Sequence, residues 1–343
     1  MSISVDIYKK LGNFELSVKF EAGNEVTALF GASGCGKSMT LRCIAGIMKP
    51  DRGRIVLNDK VLFDSEKKIN LTPQKRNVGY LFQQYALFPN MTVKKNIECG
   101  LHEKNPEKVQ EFIKAMHLEG MEDKYPNQLS GGQQQRTALA RILVGDPDIL
   151  MLDEPFSALD THLKYQMEHE VRNVISKFGK PVLLVSHDSA EVYRLSDSIS
   201  IMKDGRIEAF GDKRSIYLDP KTPNGAMLTG YRNISRARVI APGRVYAEDW
   251  GAEVSVNGNT EGITHIAAKT ESVSIGGEEN LISCRVDEVI CNAFSYGITI
   301  VPTCGSENVM FVVHTKNLDS QVVEGSEIQV SIPRNDIITL REN

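Results

Sequence analysis

Gly31-Ala32-Ser33-Gly34-Cys35-Gly36-Lys37-Ser38 is the most informative segment of the chain. Glu25–Phe30 in front of it reads as an apolar strand. Ser38–Ala45 behind it carries helical periodicity and ends before Pro50. Strand, glycine loop and helix in that order give the spacing GxxxxGK[ST] its meaning, a cradle for phosphate. Gly31, Gly34 and Gly36 let the backbone turn without a Cβ, so the amides around Ser33 and Cys35 converge on phosphate oxygens. The helix start adds partial positive charge at the same point. Lys37 is then the cation for the β- and γ-phosphates, and the Ser38 hydroxyl is a ligand for Mg²⁺. Cys35, a thiol at a helix N-terminus, is expected to have a lowered pKa, and its alkylation to block the site.

A second segment supplies carboxylates. Ile149-Leu150-Met151-Leu152 is apolar on both faces, as a buried parallel strand must be. Asp153 and Glu154 follow at its carboxyl end, where open α/β sheets place ligands. Adjacent acids at a strand end can divide the work. Asp153 fits an outer-sphere hold on Mg²⁺, and Glu154 fits a general base for the attacking water. Another buried strand, Pro181–Ser186, leads to His187. Ser186, His187 and Asp188 are consecutive, which argues against a hydrolase triad, whose members come from separated positions.

Two further segments, Phe82-Gln83-Gln84 and Leu129-Ser130-Gly131-Gly132-Gln133, complete a fixed order along the chain. The set resembles the nucleotide-binding subunit of an ABC (ATP-binding cassette) transporter. The resemblance implies an α/β P-loop NTPase domain that binds ATP and Mg²⁺. It gives His187 the role of contacting the γ-phosphate and orienting the water, and Gln83 that of meeting Mg²⁺ and sensing a membrane partner. The segment Ser130-Gly131-Gly132-Gln133, ahead of a helix expected over Gln134–Val144, implies contact with the ATP of a second copy. Ser130 and Gly132 would bind its γ-phosphate, and Asp160 would line the seam. A homodimer with two equivalent sites follows. An adenine-stacking aromatic is expected near the N-terminus, with Tyr8 as first candidate and Phe14 as second. Tyr85–Val93 is apolar for a loop and, by resemblance to importers, forms with Gln83 the socket for a permease subunit.

Whole-chain properties fit this reading. At 343 residues the chain has room for two domains, expected as 1–232 and 233–343. Composition is ordinary, with 41% hydrophobic and 24% charged residues, and the net charge of −4 argues against a nucleic-acid partner. No apolar run approaches the roughly eighteen residues of a membrane span, and the N-terminus has no signal-peptide pattern. The expectation is a peripheral subunit on the cytoplasmic face of the cell membrane, with partners that cross it. Six cysteines fit free thiols there, and Cys284, Cys291 and Cys304 read as buried small hydrophobes.

Beyond Asn233 the pattern changes to short strands such as Arg236–Ile240, Cys284–Ile290, Ile298–Val301, Met310–His314 and Glu327–Ile332, separated by Gly, Asn and Ser turns. A small all-β barrel is expected. This part looks like the oligonucleotide-fold regulatory domain of oxyanion importers, which implies an oxyanion bound there. Ile266-Ala267-Ala268-Lys269-Thr270 departs from the apolar-Arg-Pro or apolar-Arg-Ala segment of those relatives. Gly53–Asn58, Ile69–Tyr80 and Gly230–Ile234 are similar to ATPases of molybdate importers. Molybdate or tungstate is the implied solute, delivered by an extracytoplasmic binding protein. Sulfate or thiosulfate, then sugar or iron, are the alternatives within the class. Rival classes are a soluble non-transport ABC ATPase, a non-catalytic solute-binding or scaffold protein that retains a dead cassette, and an exporter ATPase.

Overall fold

A computed structural model describes residues 1–157, 161–306, 310–319 and 321–342. Asp160, one of the expected nucleotide contacts, lies outside the described residues. The chain divides into two compact units, Met1–Lys213 and Arg214–Asn343. The expected junction at 232/233 falls within one strand, Tyr231–Ala241.

The first unit is built on an eleven-stranded mixed sheet. Its parallel part runs, in spatial order, Val78–Leu81, Ile149–Asp153, Val182–Ser186, Val26–Gly31 and Ser198–Lys203. Ile149–Asp153, Val182–Ser186 and Val26–Gly31 are buried at every residue, because helices cover both faces of such a sheet. An antiparallel hairpin, Ile3–Leu11 with Phe14–Ala22, carries the sheet onward through Gly12 and Asn13.

The helix after the glycine loop spans Lys37–Ala45 and ends at Gly46, whose N–H closes on the carbonyls of Arg42 and Cys43. Arg76 fixes that end. Fully buried, it donates Nη1 to the carbonyls of Cys43 at 2.8 Å and Ile44 at 2.7 Å. Its Nε donates to the carbonyl of Leu71 at 2.9 Å and Nη2 to Asn70 Oδ1 at 2.9 Å. A cation at the negative end of the dipole and filled carbonyl valences hold the helix that presents Lys37.

The second unit carries two five-stranded antiparallel sheets. Val245, Ile266, Ile282, Ile298 and Phe311 from both sheets share one core, so the sheets close over each other as a barrel-like domain. The expected strands appear as Tyr231–Ala241, Ile282–Cys291, Tyr296–Pro302, Phe311–Thr315 and Glu327–Ser331. In the segment that departs from the oxyanion-importer pattern, Ile266, Ala267 and Ala268 are buried, and Lys269 Nζ sits 5.0 Å from the Tyr231 ring centroid. Of the three cysteines read as buried, only Cys284 is. Cys291 is the last residue of its strand and Cys304 follows Tyr296–Pro302, and both are exposed.

Candidate functional site

The carboxyl ends of four neighbouring parallel strands deliver the predicted chemistry to one edge of the sheet. Val26–Gly31 ends in the glycine loop, Ile149–Asp153 in the acid pair, Val182–Ser186 in His187, and Val78–Leu81 in the segment with Gln83. The sheet therefore assembles residues more than a hundred positions apart.

In the loop, Ala32, Ser33 and Gly34 are exposed, while Cys35 and Lys37 are buried. Gly36 caps the helix at φ 106°, a conformation that favours glycine. A Cβ there would also meet Leu16 Cδ1 at 2.7 Å and the Phe14 ring at 3.2 Å. At Gly31 a Cβ would strike the Met202 carbonyl oxygen at 2.3 Å, so the strand end tolerates no side chain. Lys37 Nζ folds back over the loop and donates to the carbonyls of Gly31 at 2.7 Å and Ala32 at 2.9 Å. A phosphate oxygen is an acceptor of the same kind as these carbonyls and can take their place on the ammonium.

The Cys35 thiol departs from expectation. Burial pushes its pKa up, and the opposing pull of Lys37 is smaller. The sulfur packs under the loop, 2.7 Å from where a Cβ on Gly31 would stand. Desolvation of the thiolate outweighs the helix-end field here.

Ser38 Oγ donates to Asp153 Oδ1 at 2.7 Å. Tyr80, unremarked in the sequence, donates its hydroxyl to Asp153 Oδ2 at 2.8 Å. Asp153 is buried, so both carboxylate oxygens are matched by hydroxyl donors. Hydroxyl, carboxylate and the amide oxygen of Gln83 are hard oxygen donors of the kind Mg²⁺ takes, so the residues fit that ion.

Glu154 begins the turn at φ 46°, left-handed for a non-glycine residue. Its N–H donates to the Val185 carbonyl at 2.9 Å. Its carbonyl accepts from Ser157 N at 3.2 Å and Ser157 Oγ at 3.0 Å. These bonds hold a strained backbone that aims the carboxylate outward. Glu154 Oε1 lies 3.3 Å from His187 Nδ1, and Gln83 Nε2 donates to Oε2 at 3.3 Å.

Ser186 and Asp188 face elsewhere. Ser186 Oγ donates to Glu191 Oε2 at 2.6 Å. Asp188 caps the Ser189–Leu195 helix through the amides of Ala190 and Glu191. Lys164 Nζ bridges Asp188 Oδ2 at 2.7 Å and Glu191 Oε1 at 2.6 Å. Ser186 Oγ also accepts from Asp188 N at 3.0 Å, and among the described residues no hydrogen bond joins either residue to the His187 ring, so no triad forms.

Ser130, Gly131, Gly132 and Gln133 stand apart. Ser130 caps a helix that runs Gly131–Leu143, three residues longer at its start than expected. Its Oγ accepts from Gln133 N at 3.3 Å, while Gln133 Oε1 accepts from Ser130 N at 2.9 Å. This reciprocal capping box satisfies the first amides and draws the two glycines into the helix. Among the described residues, no hydrogen bond links this helix start to the glycine loop of the same chain.

Of the two aromatic candidates, Tyr8 lies on Ile3–Leu11, paired on both sides within the sheet, with the Arg52 guanidinium 4.5 Å from its ring centroid. Phe14 stands beside Gly36.

The Tyr85–Val93 segment is shaped by residues the sequence reading missed. Tyr85 and Ala86 both have positive φ, 58° and 47°. Arg141 holds that turn, donating Nη2 to the Tyr85 carbonyl at 2.9 Å and Nη1 to the Ala86 carbonyl at 2.8 Å. Buried Asn96 accepts from Phe88 N at 2.9 Å and donates Nδ2 to the carbonyls of Phe88, Met91 and Thr92 at 3.0–3.1 Å. Phe88, 46% exposed, is left on the rim of a cleft of about 550 Å³. That cleft is also lined by Ile47, Tyr80, Phe82 and Arg141. A single Asn or Arg in a helix gives no sequence signal for such a role; only the meeting of distant loops does.

Comparison with known proteins adds the family. The ABC transporter family profile matches residues 14–157. A spermidine/putrescine import ATP-binding protein, PotA, of Clostridioides difficile (strain 630) is 35% identical over 341 residues, 97% of this chain and 93% of its own. A molybdenum import ATP-binding protein, ModC, of Rhodospirillum rubrum is 37% identical over 228 residues, 65% of this chain and 62% of its own. An Fe(3+) ions import ATP-binding protein, FbpC, of Fusobacterium nucleatum subsp. nucleatum is 33% identical over 340 residues, 96% of this chain and 89% of its own. Among solved structures, the ATP-binding cassette MJ0796, in a dimeric post-hydrolysis state with ADP and Pi, superposes with a TM-score of 0.52 at 28% identity. It covers 62% of this chain and 98% of that one. A cassette with its phosphate loop, acid pair and histidine on one sheet edge, matched along nearly its whole length by such relatives, belongs to the ABC transporter family as an ATP-binding subunit of the import type.

Proposed function

We propose that this chain binds MgATP on the Gly31–Ser38 loop and hydrolyses it when two copies close face to face. The movement drives solute import through permease subunits at the cytoplasmic face of the cell membrane. The observation that carries the reading is the meeting of Ser38 with Asp153 and of Glu154 with His187 at adjoining strand ends.

Lys37 leaves the loop carbonyls for the β- and γ-phosphates, and the free amides around Ser33, Gly34 and Gly36 converge on them. Ser38, Asp153 and Gln83 would hold Mg²⁺, which supplies charge neutralisation to the phosphates when bound. Glu154 accepts the proton of the attacking water, and His187 keeps that carboxylate and the water in line with the γ-phosphate. Phe14 rather than Tyr8 is assigned to the adenine, because it adjoins Gly36 while Arg52 covers the Tyr8 ring.

The glycine-serine helix start, unconnected to its own loop, is assigned to the ATP of the second copy. The dimeric state of the MJ0796 cassette supports that arrangement. The cleft beside Phe88 and Arg141 is assigned to a permease segment, with a solute-binding protein on the far side of the membrane. Replacing Phe88 with Asp should release the permease on detergent-extracted complexes while leaving ATP binding intact.

For the solute we propose a molybdate-type oxyanion, supported by 37% identity with the molybdenum relative over the cassette. A polyamine or ferric ion is the second reading, because those relatives match 97% and 96% of this chain, the β-domain included. ATP turnover of the reconstituted complex, stimulated in turn by molybdate, spermidine and Fe³⁺ with their binding proteins, separates the readings. Stimulation by spermidine or iron alone ends the oxyanion proposal.

A further inference from the structure

Tyr80 has a place in the site that none of the five sequence segments assigns. It sits on Val78–Leu81, the strand parallel to Ile149–Asp153, with Tyr80 opposite Met151 and Leu81 opposite Leu152. Its side chain therefore reaches along the sheet to the carboxyl end of the neighbouring strand. There its hydroxyl meets Asp153 Oδ2 at 2.8 Å, while Ser38 Oγ occupies Oδ1 at 2.7 Å. Tyr80 and Asp153 are both buried, so water does not readily take over either bond. The Phe82 ring, 4.3 Å from that of Tyr80, fixes the phenol from the side.

We propose that Tyr80 is a positioning residue for Mg²⁺: by holding Oδ2 it fixes the rotation of the Asp153 carboxylate and presents Oδ1 to the ion and to Ser38. The inference rests on the reading of Asp153 as a magnesium carboxylate. A donor held on the far oxygen of a metal carboxylate restricts the ligand to one orientation, and loss of such partners typically weakens metal binding roughly 10–100-fold. Tyr80 also lines the cleft beside Phe88, three residues before Gln83. The same strand end thus touches both the metal carboxylate and the proposed permease surface.

The test is the metal's share of nucleotide affinity, read at equilibrium with the non-hydrolysed analogue AMPPNP on the full-length chain. The ratio of the dissociation constant in EDTA to that in Mg²⁺ measures that share. In Tyr80→Phe the ratio should fall about tenfold, with the EDTA constant unchanged. Tyr80→Met, which also lacks the hydroxyl, should behave alike, and thermal melts of both variants report any general loss of fold. An unchanged ratio in a folded variant, or an equal weakening with and without Mg²⁺, overturns the proposal. Asp153→Asn is the companion: it should remove the metal's share almost entirely. If Asp153→Asn keeps the ratio, the magnesium reading of Asp153 fails. If Asp153→Asn abolishes it and Tyr80→Phe does not change it, only the role of Tyr80 fails.

Discussion

His187 Nδ1 and Glu154 Oε1 stand 3.3 Å apart across the ends of two parallel strands that pair in register, Asp153 against Val185. The pairing is imposed by the sheet. Each residue leaves its strand just beyond the last ladder position, and the left-handed turn at Glu154 directs its carboxylate toward the histidine. The two side chains are thereby held together before any substrate arrives, the preorganisation that their proposed roles as base and orienting partner require.

Glu154→Gln should keep ATP affinity and lose turnover by about 10²–10⁴-fold. His187→Ala should lose turnover in the same direction. Steady-state phosphate release together with nucleotide binding checks both, and a Glu154→Gln protein with near-normal turnover would remove the general base. The same variant should accumulate as an ATP-bound dimer on gel filtration.

Complementation tests the sharing of sites between copies. Lys37→Ala and Ser130→Arg should each be inactive alone. When the two proteins are mixed, a dimer holding one of each has one site with both an intact loop and an intact glycine-serine helix start. Activity should return on mixing, and silence on mixing would sink the two-copy site.

Phe14→Ala should weaken ATP binding by about 1–3 kcal/mol, the range for loss of base stacking on an aromatic ring. Tyr8→Ala should leave it unchanged. Titration with a fluorescent adenine nucleotide distinguishes them, and the reverse outcome restores Tyr8.

Iodoacetamide at neutral pH should label the exposed Cys99, Cys291 and Cys304 and spare Cys35. Burial raises the Cys35 thiol and pushes Cys43 and Cys284 to about 12, so their thiolate fractions are small. Peptide mass spectrometry over time gives the order of labelling; Cys35 labelled first would restore it as a reactive thiol.

Asp188 gives a pH signature. Burial alone would raise its pKa, but the Lys164 hydrogen bond and the helix amides bring it net below 3.8. A carboxylate depressed in the folded state stabilises at pH above its unfolded value, and that share disappears as pH falls through the folded value. Asp188→Asn keeps a helix cap but loses the ion pair. It should cost less than about 1 kcal/mol at pH 7 and almost nothing near pH 2. Urea melts at the two pH values measure the difference, and an equal cost at both would remove the charge from the argument.

The cassette and its local chemistry were legible in short stretches of the chain. GxxxxGK[ST] between an apolar strand and a helix, and Asp153-Glu154 after a run apolar on both faces, are local patterns whose physics needs no distant partner. Strand alternation and turn residues likewise made the β-domain legible. Which side chains meet was set by the folding of distant segments onto one another. Tyr80 reaches Asp153 because two strands distant in sequence are neighbours in register, with Val78 opposite Ile149. Arg141 and Asn96 shape the Tyr85–Val93 turn, Arg76 closes the phosphate helix, and Cys35 is desolvated under its own loop. Burial and long-range hydrogen bonds depend on where the chain returns to itself, and a pattern confined to a few consecutive residues carries no record of that.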